Sequence, residues 1–94
     1  MSGLFKKMVI ATDATWDGKD LVVQKNRIAK CTNVIGKYRI YSDRRLGENK
    51  KRNTYVVDTE TGEVRLNNLP HGHREVAKML RIELKKEKTR NNKW

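Results

Sequence analysis

The sequence predicts an α+β fold: a small antiparallel β-meander of about four or five strands, open or barrel-like, with one C-terminal amphipathic helix packed on it. Two patterns carry this prediction. Up to residue 66 the chain alternates turn signals with short runs rich in Val, Ile, Tyr and Thr, which is typical of strands joined by hairpins. After Pro70 the apolar residues recur at a helical period instead.

The predicted strands cover residues 8–14, 20–25, 36–42, 54–58 and 63–66. Asp17-Gly18 supplies the positive φ that a tight hairpin needs, so a hairpin is expected there. The last two predicted strands, joined by the turn signal Thr59-Glu60-Thr61-Gly62, are expected to form a second hairpin. Residues 26–35 fit either a short strand or a helical turn, because periodicity over so short a segment does not separate the two.

The predicted helix has an apolar stripe and an opposite cationic side. On a wheel of 100° per residue the apolar stripe contains Val76, Ala77, Met79, Leu80 and Leu84. The cationic side contains Arg74, Lys78, Arg81, Lys85 and Lys88. We therefore expect the helix to pack on the sheet by its apolar stripe and to expose its cations. Ile82 falls outside both groups.

The chain is long enough for one domain, residues 1–94, and too short for an enzyme with a cleft between two domains. Lys and Arg number 22 against 11 Asp and Glu, which gives a net charge of +11. Such a charge predicts an acidic partner. Loose ends are expected at residues 1–6 and 88–94, the second of which lacks apolar periodicity.

The cysteine content and the hydropathy of the chain predict where in the cell the protein is located. Cys31 is the single cysteine and cannot form an intramolecular disulfide, which favours a reducing, cytoplasmic environment. The apolar run from Met8 to Ala11 is too short for a signal peptide or a membrane span. We therefore expect no association with a membrane.

Three basic features form the predicted nucleic-acid interface. The helical cations Arg74, Lys78, Arg81 and Lys85 form a strip whose spacing suits successive phosphates. The loop over residues 44–52 adds Arg44, Arg45, Lys50, Lys51 and Arg52. A sheet face is assigned Arg39, Tyr41 and Arg65, where an exposed Tyr ring would stack on a base. The alternative is that these residues only form the polar surface of a small domain.

Trp16 precedes Asp17-Gly18 at a hairpin tip. Its indole is expected either to fold back over a neighbour in the hairpin, which is the commoner case, or to contact a partner.

Catalytic-type side chains concentrate at Pro70-His71-Gly72-His73. A zinc site needs three or four protein ligands, and no spacing completes one around these histidines, so no metal is predicted. No glycine-rich loop indicates a cofactor. As general base and general acid, His71 and His73 could cleave RNA. They could equally lie in a turn where helix amides bind a phosphate.

The function predicted from these features is that of a small, non-enzymatic nucleic-acid-binding protein that contacts mainly the phosphate backbone, without distinguishing DNA from RNA. The alternative is an interaction or inhibitor protein whose basic surface docks on an acidic protein. A third hypothesis is a small ribonuclease that uses His71 and His73.

Overall fold

The computed structural model describes residues 3–24, 27–46, 52–67 and 72–91, and the side chains of these residues except 44–46, 52–53 and 87–91. Two helices and seven strands are present in this part of the chain. Their bounds are α1 Gly3–Lys7, β1 Val9–Ile10, β2 Ala14–Trp16, β3 Leu21–Val23, β4 Arg27–Ile35, β5 Tyr38–Leu46, β6 Arg52–Asp58, β7 Val64–Leu66 and α2 His73–Asn91.

The strands form one antiparallel sheet in the order β1-β7-β6-β5-β4-β3-β2, and the sheet curls into a half-barrel. The predicted α+β class is confirmed, but the sheet has more strands than predicted. The ambiguous segment 26–35 contributes the nine-residue strand β4. The strand predicted at 8–14 is two short strands, β1 and β2, which lie at opposite edges of the sheet.

Each face of the sheet carries its own apolar core. On the helix face, Ile40 and Val56 pack with residues of α1 and α2. On the inner face of the half-barrel, Tyr41, Tyr55 and Val57 pack with residues of β3. Because successive strand residues point to opposite faces, neighbours in sequence such as Ile40 and Tyr41 belong to different cores.

Helix α2 lies on the helix face by the predicted apolar stripe. Val76, Ala77 and Leu80 are buried, and Met79 and Leu84 pack at the edge of the same core. Ile82, which falls outside the stripe, is 46% exposed. The predicted packing of the helix is therefore confirmed, and burial of this stripe supplies much of the driving force that holds α2 on the sheet.

Helix α1 corrects the prediction of a loose end for residues 3–6, and residues 1–2 lie outside the described part of the chain. Leu4 and Phe5 are both buried at 3% exposure, and the Phe5 ring contacts the Tyr38 ring at 5.3 Å between centroids. The Leu4 amide donates a hydrogen bond to Glu83 of α2 at 2.9 Å. At the other end, α2 continues to Asn91 where a loose end was predicted from residue 88, and residues 92–94 lie outside the described part.

The two predicted hairpins are present. In the β2–β3 hairpin, Gly18 has φ 104° and the Asp17 carboxylate accepts hydrogen bonds from the amides of Lys19 and Asp20. These hydrogen bonds lower the pKa of Asp17, and the hydrogen bond from the Asp20 amide has the largest effect. In the β6–β7 hairpin, Gly62 has φ 78° and its amide donates to the Asp58 carbonyl at 2.7 Å.

Among the described residues, neither helix combines the length and the apolar character needed to cross a bilayer.

Candidate nucleic-acid interface

The four predicted cations of α2 lie together on the solvent side of the helix. Arg74, Lys78, Arg81 and Lys85 are all exposed. At a rise of 1.5 Å per residue they span about 17 Å along the helix axis. We call these four residues the α2 ridge. The side chain of Lys88, which the wheel places on the same side, lies outside the described side chains.

No described carboxylate forms an ion pair with the α2 ridge. The ion pairs seen among the described side chains are Arg27 with Asp43, Lys37 with Asp58 and Glu60, and Arg65 with Glu63. The ridge therefore presents its positive charge to solvent.

Arg65 is not part of the predicted sheet surface with Arg39 and Tyr41. The register pairs Arg65 with Val56 and Val56 with Ile40, which places Arg65 on the helix face. Its guanidinium donates to the carbonyls of Lys6 and Met8, each at 3.0 Å, and pairs with Glu63. It also lies 5.1 Å from the centroid of the Phe5 ring. Arg65 thus ties α1 to the sheet, and its charge is already used within the fold.

Tyr41 also departs from its predicted role. Its ring is 1% exposed in the inner core, so the prediction of an exposed ring for stacking is wrong. The phenol is hydrogen-bonded on both sides: it accepts from Trp16 Nε1 at 3.1 Å and donates to the Lys19 carbonyl at 2.9 Å. The strand alternation assigned Tyr41 to the same face as Arg39 correctly, but that face is closed by β2 and β3.

Arg39 remains partly exposed at the margin of the inner face. Its guanidinium carbon lies 5.8 Å from the centroid of the Trp16 ring, a distance at which a cation is attracted to the face of an indole. Trp16 itself packs against the inner core. The indole folds onto the domain, but the contacts it makes with Tyr41 and Arg39 are with β5 and not with its own hairpin.

The basic loop predicted at residues 44–52 is shorter than expected. Leu46 pairs with Arg52, so the backbone of residues 44–46 belongs to β5 and that of Arg52 to β6. The side chains of Arg44, Arg45 and Arg52 lie outside the described side chains, and Lys50 and Lys51 lie outside the described residues. Their contribution to an interface stays a prediction.

The histidine pair is described only in part. His73 is the first residue of α2 and is half-buried, whereas His71 lies outside the described residues. The Gly72 carbonyl accepts the hydrogen bond of the Val76 amide at 3.0 Å, so it begins the hydrogen bonding of α2. No group of three or more His, Cys, Asp or Glu side chains that could hold a metal ion is found in the described part of the chain.

The contact between Trp16 and Arg39 was not predicted from the sequence. The signal available was a tryptophan directly before an Asp-Gly turn, but the partner across the sheet, Arg39, is 23 residues away in the chain. The strand order places β2 three strands away from β5, so the two side chains meet because the sheet curls into a half-barrel.

Comparison of the chain with protein-family models, with curated proteins and with solved structures finds no match.

Proposed function

We propose that this chain is a small, non-enzymatic nucleic-acid-binding protein whose helix α2 contacts mainly the phosphate backbone of DNA or RNA. The observation that supports the proposal is the α2 ridge: four exposed cations on one side of a helix, without a carboxylate partner among the described residues.

The geometry of the ridge suits a polyanion better than a single small anion. Charges spread over about 17 Å along a rigid helix can each approach a different phosphate of one strand. Every phosphate neutralised by Lys or Arg releases condensed counterions, which is the main source of sequence-independent affinity. Contacts of this kind position a protein on the backbone and carry no direct information about sequence.

The α2 ridge is carried by a helix that is packed on the sheet. Val76, Ala77 and Leu80 are buried on the opposite side of α2, so the ridge is oriented by a packed core. Its backbone and helix orientation are therefore fixed before binding, which lowers the entropy cost of association. We place this activity in the cytoplasm, because the single Cys31 has no partner for an intramolecular disulfide.

The test is charge reversal with a matched control. In the ridge variant Arg74, Lys78, Arg81 and Lys85 become Glu. In the control variant four exposed cations outside the ridge, Lys6, Lys7, Lys19 and Lys30, become Glu. Both variants change the net charge equally, so they separate the position of the charges from their sum. Binding to a fluorescent oligonucleotide is followed by anisotropy, and folding by circular dichroism.

We expect the ridge variant to stay folded and to lose binding, and the control variant to keep most of it. Equal losses in the two variants would show that only net charge matters. Absence of binding by the unmodified protein to DNA and to RNA, even at low salt, would reject the proposed function.

A further inference from the structure

Arg39 forms no ion pair among the described residues, whereas Arg27, Lys37 and Arg65 each pair with a carboxylate. Its contact is instead with the Trp16 ring, 5.8 Å from the guanidinium carbon to the ring centroid. A guanidinium over an indole keeps its in-plane N–H donors and its second flat side available to a ligand.

Trp16 is itself held in place. Its Nε1 donates to the Tyr41 phenol at 3.1 Å, and that phenol donates to the Lys19 carbonyl at 2.9 Å. Tyr41 is buried, so this hydrogen-bonded chain fixes the indole against the inner core. Arg39 therefore rests on a rigid surface, and ordering it on a ligand costs less than ordering a free side chain.

The surface around Arg39 favours a nucleobase over a phosphate. Val34, the residue opposite Arg39 on β4, is 65% exposed and adds apolar area. Arg guanidinium planes and apolar side chains are typical stacking surfaces for unpaired bases.

Arg39 and the α2 ridge lie on opposite sides of the molecule. The register pairs Arg39 with Val57 of the inner face, whereas α2 packs on the helix face around Ile40 and Val56. The principal extents of the molecule are 48, 27 and 19 Å. Duplex DNA has a persistence length of about 150 base pairs, so bending it around so small a body is costly. A single strand can pass from one side to the other.

We propose that the ligand is a single-stranded nucleic acid, which binds the α2 ridge through its phosphates and passes around the sheet to place an unpaired base on the Arg39–Trp16 platform. This inference rests on the proposed function and narrows its ligand to one class. It also predicts a dependence on length, because a short strand occupies the ridge and does not reach the platform.

The test compares three labelled probes in anisotropy titrations: a single strand of about six nucleotides, one of about 30, and a duplex of about 30 base pairs. At 3.4 Å per stacked nucleotide the single strands extend about 20 and about 100 Å. Arg39→Ala is expected to weaken binding of the long single strand about fivefold or more, as for loss of one stacked base. The same change is expected to leave binding of the short strand and of the duplex within about twofold.

Two further variants isolate the platform from charge. Arg39→Lys keeps the charge but loses the planar group, and we expect it to weaken long-strand binding as Arg39→Ala does. Lys30→Ala removes one exposed cation. Lys30 pairs with Ser42, so its side chain lies on the helix face, away from Arg39. We expect Lys30→Ala to have less effect on the long strand than either Arg39 variant.

The possible failures are distinguishable. If the unmodified protein binds none of the probes, the proposed function fails. If it binds them but Arg39→Ala weakens the duplex as much as the long strand, or no more than Lys30→Ala does, the single-strand inference is overturned and backbone binding by α2 stands.

Discussion

A Cβ atom at position 36 would lie 2.9 Å from Cδ1 of Leu84, so the β4–β5 turn and helix α2 meet at a point where only a glycine fits without movement. Gly36 also has φ 58°, in the left-handed region that costs other residues free energy. The hairpin turn and the helix packing thus depend on the same residue.

Gly36→Ala is expected to lower the free energy of unfolding by more than the roughly 1–2 kcal/mol that left-handed backbone alone costs an L-residue. The control is Gly62→Ala, where φ is 78° and no atom lies within 4 Å of the added Cβ. Urea denaturation of both variants measures the difference. Equal losses would mean that Leu84 moves aside freely and that the contact has no energetic weight.

Leu80→Ala should cost roughly 2–5 kcal/mol, because a fully buried side chain is lost and a cavity remains. That is a large share of the stability expected for one small domain. Ile82→Ala on the exposed side of the same helix serves as the control and should change stability by about 0.5 kcal/mol or less. A neutral Leu80→Ala would contradict the packing of α2 on the sheet.

Binding to nucleic acid should depend steeply on salt. If the interface neutralises six or more phosphates, the binding constant falls by on the order of a thousandfold between 50 and 200 mM salt. Titrations at four or five salt concentrations give the slope of log K against log salt for the unmodified protein. A nearly flat response of the unmodified protein would argue against backbone contacts.

Stability at high pH should depend on Tyr55. Burial is the main cause that raises the pKa of the Tyr55 phenol, and the charge of Asp13 is the second. The phenol donates a hydrogen bond to the Asp13 carboxylate at 3.2 Å. In the unfolded chain a tyrosine loses its proton near pH 10. Above that pH the folded protein keeps a proton that the unfolded chain releases. The contribution of Tyr55 to the free energy of unfolding is therefore complete below about pH 10 and is lost as the pH rises further.

Tyr55→Phe removes the titrating group and should make the alkaline loss of stability shallower, by up to about 1.4 kcal/mol per pH unit for one proton. Urea unfolding between about pH 8 and pH 11 measures the slope in both proteins. An unchanged slope would show that the Tyr55 proton is not linked to folding.

The double change His71→Ala with His73→Ala should leave nucleic-acid binding within a few-fold of the unmodified protein, and the unmodified protein should not cleave RNA. Loss of either member of an acid–base pair would slow cleavage by about a hundredfold or more. Incubation with total RNA provides the measurement. Cleavage that disappears in the double variant would favour the ribonuclease hypothesis over the proposed function.

Local patterns predicted the parts of the fold that depend on local chemistry. The helical period after Pro70 identified both the buried stripe of α2 and its exposed cations. The glycines at 18 and 62 marked two hairpin turns. In these places the residues that determine the element are neighbours in sequence, so the pattern and the structure agree.

The residues that were misassigned depend on the curvature and the register of the sheet. Strand alternation placed Tyr41 on the correct face of the sheet. It did not predict that this face closes into a core. Arg65 was assigned to the wrong face, because its position follows from pairing with Val56. Leu4 and Phe5 belong to a helix too short for a periodic pattern, and their burial follows from packing on distant residues.

The position of β1 and β2 at opposite edges sets an order of events during synthesis. Val9 pairs with Leu66, so β1 has no partner until the residues up to Leu66 have left the ribosome. The β2–β3–β4 meander needs only contacts close in sequence and can form earlier, because short loops close at lower entropic cost. Strand β1 is thus made before the other described strands but is one of the last to be paired, and Val9 and Ile10 remain unpaired on the nascent chain in the meantime.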